Sequence, residues 1–175
     1  MKVLRRALIA SVSCLVAMAG IALAETKVEV KKVHICCGQC KTAIGKILEG
    51  AGVKGSCDQE AKTVSITAGD DAAAQKALDA LAGGGFHGDT GNKDVKIKDD
   101  SGAKEGKVDS LTLKGAHNCC PQCCKAIKAV VKDVAGVESE DAKPKGTSFT
   151  VKGKFDAAAL VKALNDAGFH VKVEK

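Results

Sequence analysis

Cys36-Cys37-Gly38-Gln39-Cys40 and Cys119-Cys120-Pro121-Gln122-Cys123-Cys124 stand 83 positions apart and carry one spacing, a C-x-x-C at Cys37/Cys40 and again at Cys120/Cys123. Their surroundings repeat at the same offset. A histidine stands three positions before each motif (His34, His117) and an isoleucine four positions after it (Ile44, Ile127). Farther along, Gly85-Phe86-His87 matches Gly168-Phe169-His170 at the same offset. Landmarks this far apart, held at one offset, point to a duplicated unit.

Periodicity around the first motif gives the order of elements. Val28, Val30 and Val33 alternate with polar residues from Lys27 to Ile35, the pattern of a half-buried strand. Ala43, Ile44, Ile47 and Leu48 then recur at helical spacing over about Gly38 to Glu49, with Gly50 and Gly52 to stop the helix. The C-x-x-C therefore straddles a strand-to-helix turn. Val53 to Cys57 and Lys62 to Thr67 read as two strands, Asp70 as the cap of an Ala-rich helix, and Phe86-His87 as the start of a last strand. The second copy repeats this order. Leu111 and Leu113 lie in a strand, Ile127, Val130, Val131 and Val134 on a helix, and Val137 and Phe149 to Val151 in two strands. A helix from Asp156 to Ala167 and a strand from Val171 to Val173 complete it. The expected fold class is α+β: two tandem βαββαβ units, each packing two helices on one face of a four-stranded antiparallel sheet.

The start of the chain reads as an address. Lys2, Arg5 and Arg6 precede an apolar run from Ala7 to Leu23, and Ala22-Leu23-Ala24 offers a signal-peptidase site, so residues 1–24 are expected to be a signal peptide that includes Cys14. Units follow over residues 25–90 and 107–175, joined by a polar linker over residues 91–106. The expected location is periplasmic or extracellular, with no stable membrane insertion after cleavage. Without residues 1–24 the chain holds 24 Lys and Arg against 21 Asp and Glu, a net charge of +3. That balance, with no Trp or Tyr and four Phe, gives neither a basic stripe nor stacking rings for nucleic acid. Eight cysteines remain, and seven of them lie in the two clusters. Disulfide scaffolds scatter their cysteines to close separate loops, so this clustering fits metal ligation or redox chemistry better.

On these residues the chain resembles the heavy-metal-associated domain family of copper chaperones and mercuric-binding proteins, in two tandem copies. The resemblance implies a ferredoxin-like fold with a metal loop between the first strand and first helix. It also implies that Cys37, Cys40, Cys120 and Cys123 ligate a soft metal ion, Cu(I) foremost and Zn(II) as the alternative. Thiolates at a helix N-terminus gain from unpaired N–H groups and the helix dipole, which favours soft-ion binding. The family methionine is replaced by Ile35 in the first copy and by Asn118 in the second, which puts the packing beneath the second loop in question.

Further residues admit two readings each. Cys36, Cys119 and Cys124 could add a third thiolate; Cys36 and Cys119 could equally be buried thiols or disulfide partners. His34 and His117 could ligate the metal or be partly buried strand residues. Phe86 and Phe169 either shield the site or belong to the core, while His87 and His170 would face the other way along the strand. Cys57 reads as a core cysteine. The function expected is non-enzymatic sequestration or transfer of metal, to or from a metal-transporting or metal-accepting protein. The competing readings are a thiol-disulfide oxidoreductase using the same dithiols and a structural disulfide protein.

Overall fold

A computed structural model describes residues 25–174 of the chain. The expected signal peptide, with Cys14, lies outside the described residues. Eleven elements follow in order: β1 (Thr26–Val30), α1 (Gly38–Gly50), β2 (Lys54–Asp58), β3 (Thr63–Ala68), α2 (Asp71–Gly83), β4 (Lys107–Lys114), α3 (Pro121–Lys132), β5 (Val137–Glu140), β6 (Ser148–Asp156), α4 (Ala157–Asp166) and β7 (Lys172–Val173). They form an α+β structure with a three-stranded sheet, β1-β3-β2, and a four-stranded sheet, β5-β6-β4-β7. All strand pairs are antiparallel.

Each sheet buries one face, as the period-two pattern requires. Val28 and Val30 of β1 sit opposite Ile66 and Val64 of β3, and all four are buried, while the intervening Glu29 and Ser65 are exposed. In the second half Leu113 pairs with Phe149 and Val151 lies beside Leu111. The helices present their apolar stripes to these faces: Cys40, Ile44 and Leu48 from α1, and Cys123, Ile127 and Val131 from α3. The second helix of each half is capped by an aspartate. Asp70 accepts from the Ala73 N–H at 2.7 Å and Asp156 from the Ala159 N–H at 2.8 Å. The first helices differ, because their N-caps are Cys37 and Cys120 and neither side chain makes a capping bond. Both leave N–H groups of the first turn directed at the cysteine loops.

The first half departs from the expected four strands. After α2 the backbone makes only isolated bridges, Lys31 with Asp89 and Phe86 with Phe169. The residues expected to start a last strand turn to the other half instead. The N–H of His87 donates to Gly168 O and that of His170 donates to Gly85 O, both at 3.0 Å, a reciprocal pair about a pseudo-twofold axis. In the second half the fourth strand is present but spans only Lys172–Val173.

Two glycines permit this close crossing. Gly85 and Gly168 have φ of +82° and +89°, and a Cβ at either would collide with the other half's backbone, at His117 N and His34 N respectively. Residues 91–106 also pack against both halves. Val95 and Ile97 are buried, Gln75 holds the backbone of Lys96 through both its N–H and C=O, and Asp156 accepts from the Gly106 N–H at 2.8 Å. Among the described residues no helix is long and apolar enough to cross a membrane.

Candidate metal centre

The crossing at Phe86 and Phe169 brings the N-termini of α1 and α3 together, and six thiols meet between them. Cys36 Sγ lies 3.4 Å from Cys123, 3.5 Å from Cys120 and 3.7 Å from Cys40. Cys119 Sγ lies 3.7 Å from both Cys40 and Cys123 and 3.8 Å from Cys37. Within the two motifs, Cys37 and Cys40 are 3.9 Å apart and Cys120 and Cys123 3.8 Å. Four more sulfur pairs fall within 4.8 Å: Cys36/Cys37, Cys37/Cys120, Cys119/Cys120 and Cys40/Cys123. All eight cysteines of the described residues are free thiols, and these separations are far beyond an S–S bond of about 2.05 Å.

These neighbours define a shape. The combinations left over are Cys36/Cys119, Cys37/Cys123 and Cys40/Cys120, three pairs that share no member. Six points so connected are the corners of an octahedron, each leftover pair being opposite corners. The halves of the chain thus contribute three corners apiece to one sulfur cage.

Burial grades across it. Cys40 and Cys123, on the inward faces of α1 and α3, are 0% exposed, whereas Cys36, Cys37, Cys119 and Cys120 are half-buried. A groove lined by Cys37, Gly38, Gln39, Lys46, Cys119 and Cys120 opens this side to solvent. The protonation pattern follows from crowding. The Cys123 thiol beside it holds Cys40 well below the usual thiol range, against the effect of burial and with help from the nearby His117. Cys123 is correspondingly raised, by Cys40 first and by burial next. Because the two residues are equivalent by position, the pair gives up one proton readily and the second with difficulty. Burial also raises Cys36, and pushes Cys119 up to about 12. Cys120 is brought to about 7, where backbone N–H groups of α3 and the Cys36 side chain outweigh its burial.

The two flanking histidines are crossed between halves. His34 stacks on Phe169 and His117 on Phe86, with centroids 4.3 and 4.2 Å apart. A ring nitrogen of His34 lies within 4.8 Å of the sulfurs of both Cys36 and Cys123. The Nε2 atoms of His34 and His117 are buried without a hydrogen-bond partner. Burial lowers the His34 pKa, which keeps the ring neutral and able to donate or accept.

Other sequence candidates fall elsewhere. Cys124 is buried on another side of α3, its Sγ donating to Ala142 O at 3.4 Å, so it is not a corner of the cage. Cys57 is a half-buried residue of β2 rather than a core one, beside Lys41 and Asp58. Asn118 is buried where the first half has Ile35, and its Nδ2 donates to Lys143 O at 2.7 Å, which secures the second loop by a polar bond. Phe86 and Phe169 are at once core residues and stacking partners of the site histidines. His87 and His170 meet each other, their Nδ1 atoms 3.1 Å apart, and His170 Nε2 contacts Asp100 Oδ1 at 2.8 Å. Asp100, which also accepts from Lys172 Nζ at 2.6 Å, carries no local signal in the sequence. The matched Gly-Phe-His triplets are the sequence signal that the two halves meet.

No family model matches the sequence, and no curated protein matches it. Among solved structures the chain is similar to oxidized MerP from Ralstonia metallidurans CH34, with 25% identity over 40% of this chain and all of that one, at a TM-score of 0.36. A chain from a structural study of crosstalk between Cu(I) and Zn(II) homeostasis gives 24% identity over 38% of this chain and all of that one, with a TM-score of 0.34. The N-terminal soluble domains of Bacillus subtilis CopA give 15% identity over 87% of this chain and 95% of that one, with a TM-score of 0.32.

Proposed function

We propose that the chain is an exported, non-enzymatic protein built from two heavy-metal-associated units, which binds a soft metal cation through its clustered thiols and sequesters it or passes it on. Cu(I) is the favoured cation and Zn(II) the alternative. The observation that carries this reading is the convergence of six cysteine sulfurs at 3.4–3.9 Å spacings. A metal bonded to thiolates at about 2.3 Å sets neighbouring sulfurs roughly 3.8 Å apart if tetrahedral and about 4.0 Å apart if trigonal. Thiolates in this arrangement suit soft ions over hard ones. The dipoles of α1 and α3 and their uncapped N–H groups favour the thiolate form, and binding releases the thiol protons.

In this reading Cys37 and Cys120, which line the groove, meet an incoming ion, and the buried Cys40 and Cys123 complete its coordination. Exchange with the dithiol of a metal-transporting or metal-accepting protein would then proceed through the same groove. Location in the periplasm or outside the cell rests on the signal read over residues 1–24.

The test is an anaerobic titration of the fully reduced chain with Cu(I), and separately with Zn(II), against a chelator of known affinity. Tight uptake lost in the Cys37→Ser/Cys40→Ser/Cys120→Ser/Cys123→Ser variant supports the proposal. Absence of metal uptake together with efficient insulin reduction would overturn it in favour of a thiol-disulfide oxidoreductase.

A further inference from the structure

Resting on the reading of the cysteines as soft-metal ligands, we infer that the two halves do not hold separate ions at separate C-x-x-C motifs but build one intramolecular cage that takes four Cu(I) ions on six bridging thiolates.

The inference follows from which sulfurs neighbour which. An octahedron has eight triangular faces, and four alternate ones meet only at corners. One such set here is Cys36/Cys37/Cys40, Cys36/Cys120/Cys123, Cys37/Cys119/Cys120 and Cys40/Cys119/Cys123. Every edge of these four triangles is among the observed sulfur pairs, from 3.4 Å for Cys36/Cys123 to no more than 4.8 Å. Each triangle offers the three-coordinate site that Cu(I) accepts. Every sulfur belongs to two of them and so bridges two ions. Three of the four triangles draw on both halves of the chain, and the same is true of the complementary set that contains Cys119/Cys120/Cys123.

Coordination number separates the cations at the sulfur cage itself. Tetrahedral Zn(II) held by thiolates alone needs four sulfurs that are all mutual neighbours. Any four corners of an octahedron include at least one opposite pair, so the cage holds no such set. A trigonal thiophilic ion fits each face, with sulfurs about 4.0 Å apart for a metal–sulfur bond of about 2.3 Å.

Charge balance fixes how many protons leave. Loading is 4 Cu⁺ + 6 RSH → [Cu₄(SR)₆]²⁻ + 6 H⁺, with no change of oxidation state. Two ions on six ionised thiols would leave a tetraanion in a place where Cys40 and Cys123 have no exposed surface, so a two-ion state must keep two of the six thiols protonated. Burying uncompensated charge is costly, so all six thiols can ionise together only when each thiolate is shared between two cations. The remaining dianion faces the N-termini of α1 and α3, which lack acidic residues in their first turns.

The inference is tested by loading the reduced full chain anaerobically with Cu(I) and measuring stoichiometry by native mass spectrometry and local structure by Cu X-ray absorption. Centres of alternate faces lie two-thirds of an edge apart, so the cage predicts a Cu–Cu distance of about 2.7 Å beside Cu–S at about 2.3 Å. The expected result is a four-copper species formed with little of the one- to three-copper forms, and fewer than four ions in Cys36→Ser/Cys119→Ser. Folding of that variant is checked by circular dichroism, and the wild-type absorption spectrum stands without it. Copper bound without a Cu–Cu distance, or as two ions unaffected by Cys36→Ser/Cys119→Ser, overturns the cage while leaving soft-metal binding intact. No copper bound at all overturns the underlying reading instead.

Discussion

His34 of the first half lies face to face with Phe169 of the second, ring centroids 4.3 Å apart and planes inclined by 28°. His117 and Phe86 repeat the contact in the opposite sense at 4.2 Å and 25°. Each half thus supplies the aromatic wall behind the other half's histidine, and the cysteine loops follow the histidines into one place.

Because Phe169 is fully buried at this crossing, truncating it removes core packing and the wall behind His34 together. Phe169→Ala is expected to cost about 3–5 kcal/mol, read by denaturant unfolding of the metal-free chain. Phe169→Leu, which keeps most of the volume, should cost under half as much.

Gly85 and Gly168 are expected to be intolerant for a different reason. Both have positive φ, and a Cβ at either would meet backbone atoms of the opposite half that cannot swing aside. Gly85→Ala and Gly168→Ala should each lower the melting temperature and reduce Cu(I) uptake, although neither touches a cysteine. Gly91→Ala, also at positive φ but in open space, should cost only the backbone strain of about 1–2 kcal/mol and leave metal uptake unchanged.

The histidine pair gives a pH dependence. Burial first and the neighbouring His170 next lower the His87 pKa to about 4, partly offset by Asp99 and Asp166; Lys32 and Asp89 line the adjoining groove. The folded group therefore resists a proton that the unfolded chain takes up near pH 6.5. Stability is fully present above that value and falls as pH drops from about 6.5 toward 4, by on the order of 1–2 kcal/mol after solvent screening. Melting temperatures of the metal-free chain across this range should show the slope, and His87→Gln should flatten it.

Cys57 and Cys124 are expected to be dispensable for metal. Neither sulfur is among the cage neighbours, and Cys124 is occupied with Ala142 O. Cys57→Ser and Cys124→Ser should keep wild-type Cu(I) stoichiometry by mass spectrometry, with Cys124→Ser losing about 1 kcal/mol of stability through its buried site.

Much of the fold was legible in local periodicity. The alternation of Val64 and Ile66, the i, i+4 stripe of Ile44 and Leu48, and the caps Asp70 and Asp156 each announce their element within a few residues. The four cysteines of the two motifs were legible as candidate ligands because their spacing is local as well. The merging of the two sites was not, since nothing in a repeat says how its copies dock. The signal was present only as Gly85-Phe86-His87 and Gly168-Phe169-His170, whose backbones bond to each other rather than to their own sheets. The status of Cys36 and Cys119 depended on that docking, because their sulfur neighbours include Cys120 and Cys123 from across the crossing for Cys36, and Cys37 and Cys40 for Cys119. Val95 and Ile97 were hidden for a similar reason, as isolated apolar residues in a stretch whose composition reads as solvent-exposed.

The central claim is that six thiols from both halves form one metal centre, and alkylation footprinting tests it most directly. The reduced chain is titrated with Cu(I), pulsed with a thiol-alkylating reagent, and read cysteine by cysteine by mass spectrometry. The account predicts that Cys36, Cys37, Cys40, Cys119, Cys120 and Cys123 become protected together, on one titration curve, while half-buried Cys57 stays reactive. Protection confined to Cys37/Cys40 and Cys120/Cys123, or developing in two independent steps for the two halves, would contradict it.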